Sequence, residues 1–139
     1  MSVFIGIDLG TSATKAIAVG QDGEVIARAR CSHPGSRSAG AGREDPRAWT
    51  ESIRRACSDL GPALAGAVGV GIDVHCPVAV PMDDRGRACG LAVAWDNDVL
   101  NYYFNKYSGR RTERAVTATG NHASQSTFLA VAAAEARGV

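Results

Sequence analysis

The 139-residue sequence is short of several things, and each shortage excludes a class of protein. It has no long apolar run. Nothing in it approaches the roughly 18–20 consecutive apolar residues that a membrane-spanning helix needs. It has no excess of charge of one sign. Fifteen Lys and Arg stand against fourteen Asp and Glu, a formal net charge of +1, and the two signs are mixed along the chain. No basic stripe is present to neutralise a phosphate backbone, which argues against a nucleic acid partner. The four cysteines, Cys31, Cys57, Cys76 and Cys89, lie far apart with no C-x-x-C pair. That argues against a zinc knot or a thioredoxin-like pair, and for reduced thiols in the cytoplasm. The first residues do not run charged, apolar, then small, as a signal segment does. No internal repeat is found. What remains is ordinary: 45% hydrophobic and 21% charged residues, enough for one globular domain with a core.

Val3 to Asp8 is a short apolar run ending in an acid, and it predicts a buried strand. Gly10-Thr11-Ser12 is a turn, and Lys15 to Val19 resumes as a second strand. Asp22-Gly23 is a strong hairpin signal. Glu24 to Arg30 then alternates, with Val25, Ala27 and Ala29 on one face. The opening is therefore expected to be a three-stranded antiparallel meander. Residues 32–43 are rich in Ser, Gly and Arg and predict a surface loop. Asp45-Pro46 starts a helix. Trp49, Ile53, Ala56, Cys57 and Leu60 follow at helical spacing, and Gly61-Pro62 stops it. Ala67 to Ile72 predicts a strand parallel to the first, because a helical crossover precedes it. Val78 to Ala94 predicts a second hairpin around Asp83-Asp84-Arg85-Gly86. Helical patterns return from Val99, where Leu100, Tyr103, Phe104 and Tyr107 share a face, and at 127–137.

The chemistry concentrates in Asp8-Leu9-Gly10-Thr11-Ser12-Ala13-Thr14-Lys15. A strand ends in a carboxylate, and a glycine turn carries hydroxyls into the next strand. Gly10 lets backbone N–H groups approach an anion, and Thr11 and Ser12 add hydroxyl donors. Asp8 repels phosphate directly but can hold a hydrated Mg²⁺ that bridges to it. Lys15 supplies positive charge or turns to solvent. Taken alone, the segment reads equally as a tight hairpin with a satisfied aspartate, because short glycine motifs are weak.

The flanking residues add a resemblance. Gly6 to Lys15 is similar to the G-I-D-x-G-T-(S/T)-x-x-K opening of the FGGY carbohydrate kinases. Glu44-Asp45-Pro46-Arg47-Ala48-Trp49 resembles their acidic Asp-Pro-x-x-Trp segment. Val70-Gly71-Ile72-Asp73-Val74-His75-Cys76, the Asp83 to Gly86 turn and Trp95-Asp96-Asn97-Asp98 stand where later landmarks do. Thr119-Gly120-Asn121 is similar to a further Thr-Gly segment. The likeness covers nearly the whole chain and is strongest to pentulose-kinase-like, ribulokinase-like members. It implies an α/β fold of the actin-like, RNase H-like ATPase type: a mixed sheet opening with the antiparallel meander, flanked by helices. It implies that residues 1–139 are a single, partial amino-terminal domain, with the carboxy-terminal domain absent.

The same resemblance implies ATP and Mg²⁺ as cofactors and a sugar as substrate. Asp8, Gly10, Thr11, Ser12, Thr14 and Lys15 become the nucleotide-phosphate residues, with Asp8 on Mg²⁺ through water. Asp73, His75, Trp95 and Asp96 become candidate sugar contacts, since ligands favour the carboxyl ends of parallel strands. Three of them have a structural alternative: Asp73 as a capping acid, His75 as a packed histidine, Trp95 as a core side chain. Trp49 is assigned to the core. Cys76 is expected to be a small buried hydrophobe rather than a nucleophile. The resemblance places the catalytic base and the second phosphate loop beyond Val139, so the chain is expected to be inactive alone. An unpaired sheet edge is expected to drive homodimerisation or strand exchange. Two other assignments compete: a non-catalytic sugar- or nucleotide-binding or dimerising module, and a dehydratase-activator ATPase, whose iron–sulfur cysteines do not fit the scattered ones here.

Overall fold

In a computed structural model, the structure describes residues 2–33 and 42–94, with the single positions 98, 100, 102 and 105. In chain order the elements are β1 (Val3–Leu9), β2 (Ala13–Gly20), β3 (Val25–Ser32), β4 (Arg43–Glu44), α1 (Pro46–Ser58), β5 (Ala67–Val74), β6 (Val78–Ala79) and β7 (Ala92–Ala94). A 3₁₀ turn, Gly61–Gly66, leads into β5. The chain divides into two compact units, Met1–Ser36 with Arg47–His75, and Arg37–Pro46 with Cys76–Val139.

The first unit carries a four-stranded mixed sheet in the order β3-β2-β1-β5. β1, β2 and β3 form the expected antiparallel meander, and β5 runs parallel to β1. Strand periodicity explains the sidedness. Val3, Ile5, Ile7 and Leu9 are buried on one face, while Phe4, Gly6 and Asp8 take the other. Three residues, Gln21 to Gly23, close the β2–β3 hairpin. Gly20 N–H donates to Glu24 O at 2.9 Å, and Gly23 sits at φ +85°, where a side chain would be strained.

β3 departs from simple alternation. Its register against β2 slips between Ala18 and Val19, so that Ala18 faces Ala27 while Val19 faces Val25. The extra residue is Ile26, and such a bulge re-aims the side chains beyond it. Val25, expected on the face of Ala27 and Ala29, is exposed, whereas Ala27, Ala29 and Cys31 pack against the core.

Helix α1 lies on that core face. Ala56, Leu60, Ile53 and Cys57 join the cluster of Val3, Ile5, Ile7, Ala16 and Ala18. Alanines at 16, 18 and 56 leave room for helix and sheet to approach closely. The outer side carries Glu51, which pairs with Arg54 and Arg55 at 2.9 Å each. These pairs are exposed and add little stability. The buried stripe also contains Ser52, which apolar spacing did not pick out. Ser52 Oγ donates to Trp49 O at 2.9 Å and lies 2.6 Å from Thr14 Oγ1. With its single proton used on the carbonyl, Ser52 must accept from Thr14.

In the second unit β4, β7 and β6 form a small antiparallel sheet. The expected hairpin at 78–94 is present. Asp83 Oδ1 accepts from the N–H groups of Arg85 and Arg87, and Gly86 takes φ +73° at the turn. The loop expected over 32–43 is shorter at its ends. Ser32 closes β3, His33 is buried, and Arg43 starts β4, with Glu44 fully buried. Cys76, expected to be buried, is exposed. No helix among the described residues is long and apolar enough to cross a membrane. The helices expected near 99–107 and over 127–137, and Thr119-Gly120-Asn121, lie outside the described residues apart from the single positions above.

Candidate functional site

The register of the first sheet builds a row of charges. Asp8 on β1 stands opposite Lys15 on β2 and opposite Asp73 on β5, and Lys15 stands opposite Arg30 on β3. Residues directly opposite share a face, so Arg30, Lys15, Asp8 and Asp73 run side by side across four strands. Lys15 Nζ lies 2.9 Å from Asp8 Oδ2. Asp73 accepts from the N–H of Val74 at 3.0 Å. With Gly6, Ile17, Arg28 and Gly71, these residues line one open concavity of about 860 Å³. Gly71 has open space where a Cβ would be, so backbone there is accessible to a ligand. Two carboxylates at neighbouring strand ends, one of them matched by Lys15, suit a hydrated divalent cation. Among the described residues no group of three or more metal-type ligands occurs, so such an ion would keep most of its water.

Beside this row is the β1–β2 turn, and its backbone is polarised. Leu9 O accepts from the main-chain N–H and the ring of His75, each at 3.0 Å. Gly10 O lies 3.0 Å from His33 Nε2, and Ser12 O accepts from His33 N–H at 3.2 Å. Ala13 O accepts from Gly10 N–H at 3.1 Å. A Cβ on Gly10 would come within 3.3 Å of that same oxygen. The carbonyls of Leu9, Gly10, Ser12 and Ala13 are thus each hydrogen-bonded. The N–H groups of Thr11 and Ser12 take no partner among the described residues, and both residues are exposed. Two N–H groups and two hydroxyls are the donor types with which proteins bind anions.

No protein-family model matches the chain. It is 39% identical over 99 residues to the xylulose kinase of Streptomyces coelicolor, covering 68% of this chain and 20% of that one. It is 33% identical over 98 residues to the xylulose kinase of Escherichia coli, with the same coverage, 68% and 20%. The crystal structure of xylulose kinase from Rhodospirillum rubrum superposes with a TM-score of 0.66 at 26% identity, over 94% of this chain and 27% of that one. The structure of Plasmodium falciparum glycerol kinase with ADP gives 0.68 at 16% identity, over 90% and 26%. The fold is that of the sugar kinases. The chain spans about a fifth of the length of the curated relatives it matches.

Within this sugar-kinase fold the residues singled out from sequence separate into three groups. Asp8, Lys15 and Asp73 come together in the concavity, and Gly10, Thr11 and Ser12 form the turn beside it. Thr14 and His75 do not join them. Thr14, expected on the phosphates, is fully buried and hydrogen-bonded to Ser52, because alternation turns it to the α1 face. His75, expected on the sugar, is held on Leu9 O, with its ring edge-on to Trp49 at 5.3 Å. Trp95 and Asp96 lie outside the described residues. His33 was missed. It sits in a stretch whose composition reads as loop, and its partners are far away in sequence, so no local signal marks it.

Proposed function

We propose that this chain forms one wall of the nucleotide and sugar cleft of an FGGY-type carbohydrate kinase, acting in the cytoplasm on a pentulose or related sugar. The observation that carries this is the turn whose Leu9, Gly10 and Ser12 carbonyls are hydrogen-bonded while the N–H groups of the exposed Thr11 and Ser12 take no partner among the described residues, beside the carboxylate row. Thr11 and Ser12 would take the ATP phosphates. Asp8, with Asp73 alongside, would hold Mg²⁺ through water, and the ion when bound offsets phosphate charge. Asp73 would also accept sugar hydroxyls. These residues bind and orient. Phosphoryl transfer also needs a base at the attacking hydroxyl and a second clamp on the phosphates. None of the residues assigned here fills either part.

Calorimetry on the 139-residue chain is expected to show ADP binding that strengthens with Mg²⁺. A coupled ADP-release assay with ATP and pentuloses is expected to show no steady turnover. Absent ADP binding at millimolar ligand would remove the nucleotide assignment. Steady turnover would show that the chain carries its own base.

A second property is favoured by one observation. Among the described residues β5 ends the order of its sheet, and Val68, Val70, Ile72 and Val74 on it are 65%, 63%, 60% and 50% exposed. An apolar edge strand invites pairing with another. The chain is expected to dimerise through β5 in light scattering, and Val70→Lys to return it to monomer. A wild-type monomer at all concentrations would count against this.

A further inference from the structure

We propose that His33 and His75 are positioning residues, a pair of clamps that hold the carbonyls of the β1–β2 turn so that its N–H groups face a phosphate. The proposal rests on the phosphate assignment made above for that turn.

Each histidine places its main-chain N–H and one ring nitrogen on the same hairpin. His33 gives its main-chain N–H to Ser12 O at 3.2 Å and its ring to Gly10 O at 3.0 Å. His75 gives its main-chain N–H and its ring to Leu9 O, both at 3.0 Å. The two arrive from opposite flanks, because His33 follows β3 and His75 follows β5. A carbonyl oxygen only accepts, so each ring nitrogen there must carry a proton. That sets Nε2–H on His33 and Nδ1–H on His75, an assignment made from the partners rather than seen. His33 is 4% exposed, so its donor meets little competition from water. Leu9 O has both of its lone pairs used.

The electrostatic effect is specific. A peptide carbonyl aimed at an incoming phosphate repels it, while an N–H attracts it. Tying the carbonyls of Leu9, Gly10 and Ser12 to donors behind them leaves the N–H groups of Thr11 and Ser12 on the open side. A lysine or arginine at position 33 would also donate, but would bring a full charge into a buried place. A histidine ring can donate without a full charge.

The two rings donate through different nitrogens, which gives a crossed test. The amide nitrogen of glutamine reaches about as far as Nε2, and that of asparagine about as far as Nδ1. His33→Gln and His75→Asn should keep the clamps, whereas His33→Asn and His75→Gln should lose them. Amide hydrogen exchange at Gly10 is expected to speed up about fivefold in the clamp-losing pair, the value of one net hydrogen bond near 1 kcal/mol. Mg-ADP affinity is expected to fall five- to tenfold in that pair and to stay within about twofold in the other. Equal effects of Gln and Asn at both positions, or no effect of any of the four, would overturn the proposal. If wild type binds no Mg-ADP yet the crossed exchange pattern appears, the clamp stands and the phosphate assignment falls.

Discussion

Asp8→Asn is expected to abolish the magnesium dependence of ADP binding while leaving the fold nearly as stable as before. The two halves of this expectation come from different numbers. Asp8 and Lys15 pair at 2.9 Å, but their side chains are 47% and 62% exposed. An exposed pair is screened, and after that discount it contributes well under about 1 kcal/mol. Losing it should move the melting temperature by no more than a few degrees. The carboxylate's service to a cation is different, because asparagine keeps the shape and loses the charge. Bonds to charged groups are worth about 1.5–3 kcal/mol, so Mg-ADP should bind roughly 10- to 100-fold more weakly.

Without Mg²⁺ the sign reverses. The substitution removes a negative charge beside the phosphates and releases Lys15 to meet them. ADP alone should therefore bind as well as to wild type, or better. Calorimetry on both proteins, with Mg²⁺ and with a chelator, checks the four values. If Mg²⁺ strengthens ADP binding equally in both proteins, Asp8 does not hold the ion. Asp73 on the neighbouring strand would then be the carboxylate to test.

Much of the sheet was legible because its signals are local. The β1 alternation, the glycine hairpin at 21–23 and the apolar stripe of α1 each lie within a few residues of chain. From them the antiparallel meander and the parallel return of β5 follow by chain geometry. The misses are equally physical. β4 has two residues, too few to show a period, so Glu44 read only as the acid of the Asp-Pro segment rather than as a buried strand residue. The bulge at Ile26 breaks alternation without any glycine to announce it. Ser52 is polar in an apolar stripe, and only its partner Thr14, 38 residues away, explains it.

The site divided along the same line. Asp8 and Lys15 belong to one motif and one hairpin, and the register of that hairpin sets them opposite each other. That Asp73 joins their row is a register fact, legible only once β5 is known to run parallel to β1. The side chains that shape the turn are further off still. His33 is 23 residues from Gly10 and His75 is 66 from Leu9, and neither spacing has a local signature. A motif names the residues a ligand meets more readily than the residues that hold the motif in shape.

Trp49→Ala is expected to have the largest effect on stability, about 3–5 kcal/mol, as for other buried tryptophans cut to alanine. Against a total near 5–15 kcal/mol for a domain, that leaves the chain close to unfolding. Trp49 is 8% exposed and meets the ring of His75 edge-on at 5.3 Å. Its carbonyl also takes the proton of Ser52, which in turn accepts from Thr14 beside the turn. The first turns of α1 therefore grip the β1–β2 turn end of the sheet, while Ile53, Ala56 and Cys57 grip its middle. Cutting Trp49 removes packing under His75 as well as volume from the helix seat. Trp49→Phe keeps an aromatic edge and should cost far less. Denaturant unfolding of the two variants measures the difference, and hydrogen exchange at Gly10 reports whether the turn loosens before the sheet does. A cost below about 1 kcal/mol for Trp49→Ala would mean that α1 does not seat on this end of the sheet. The support assigned to His75 from below would then have to come from elsewhere.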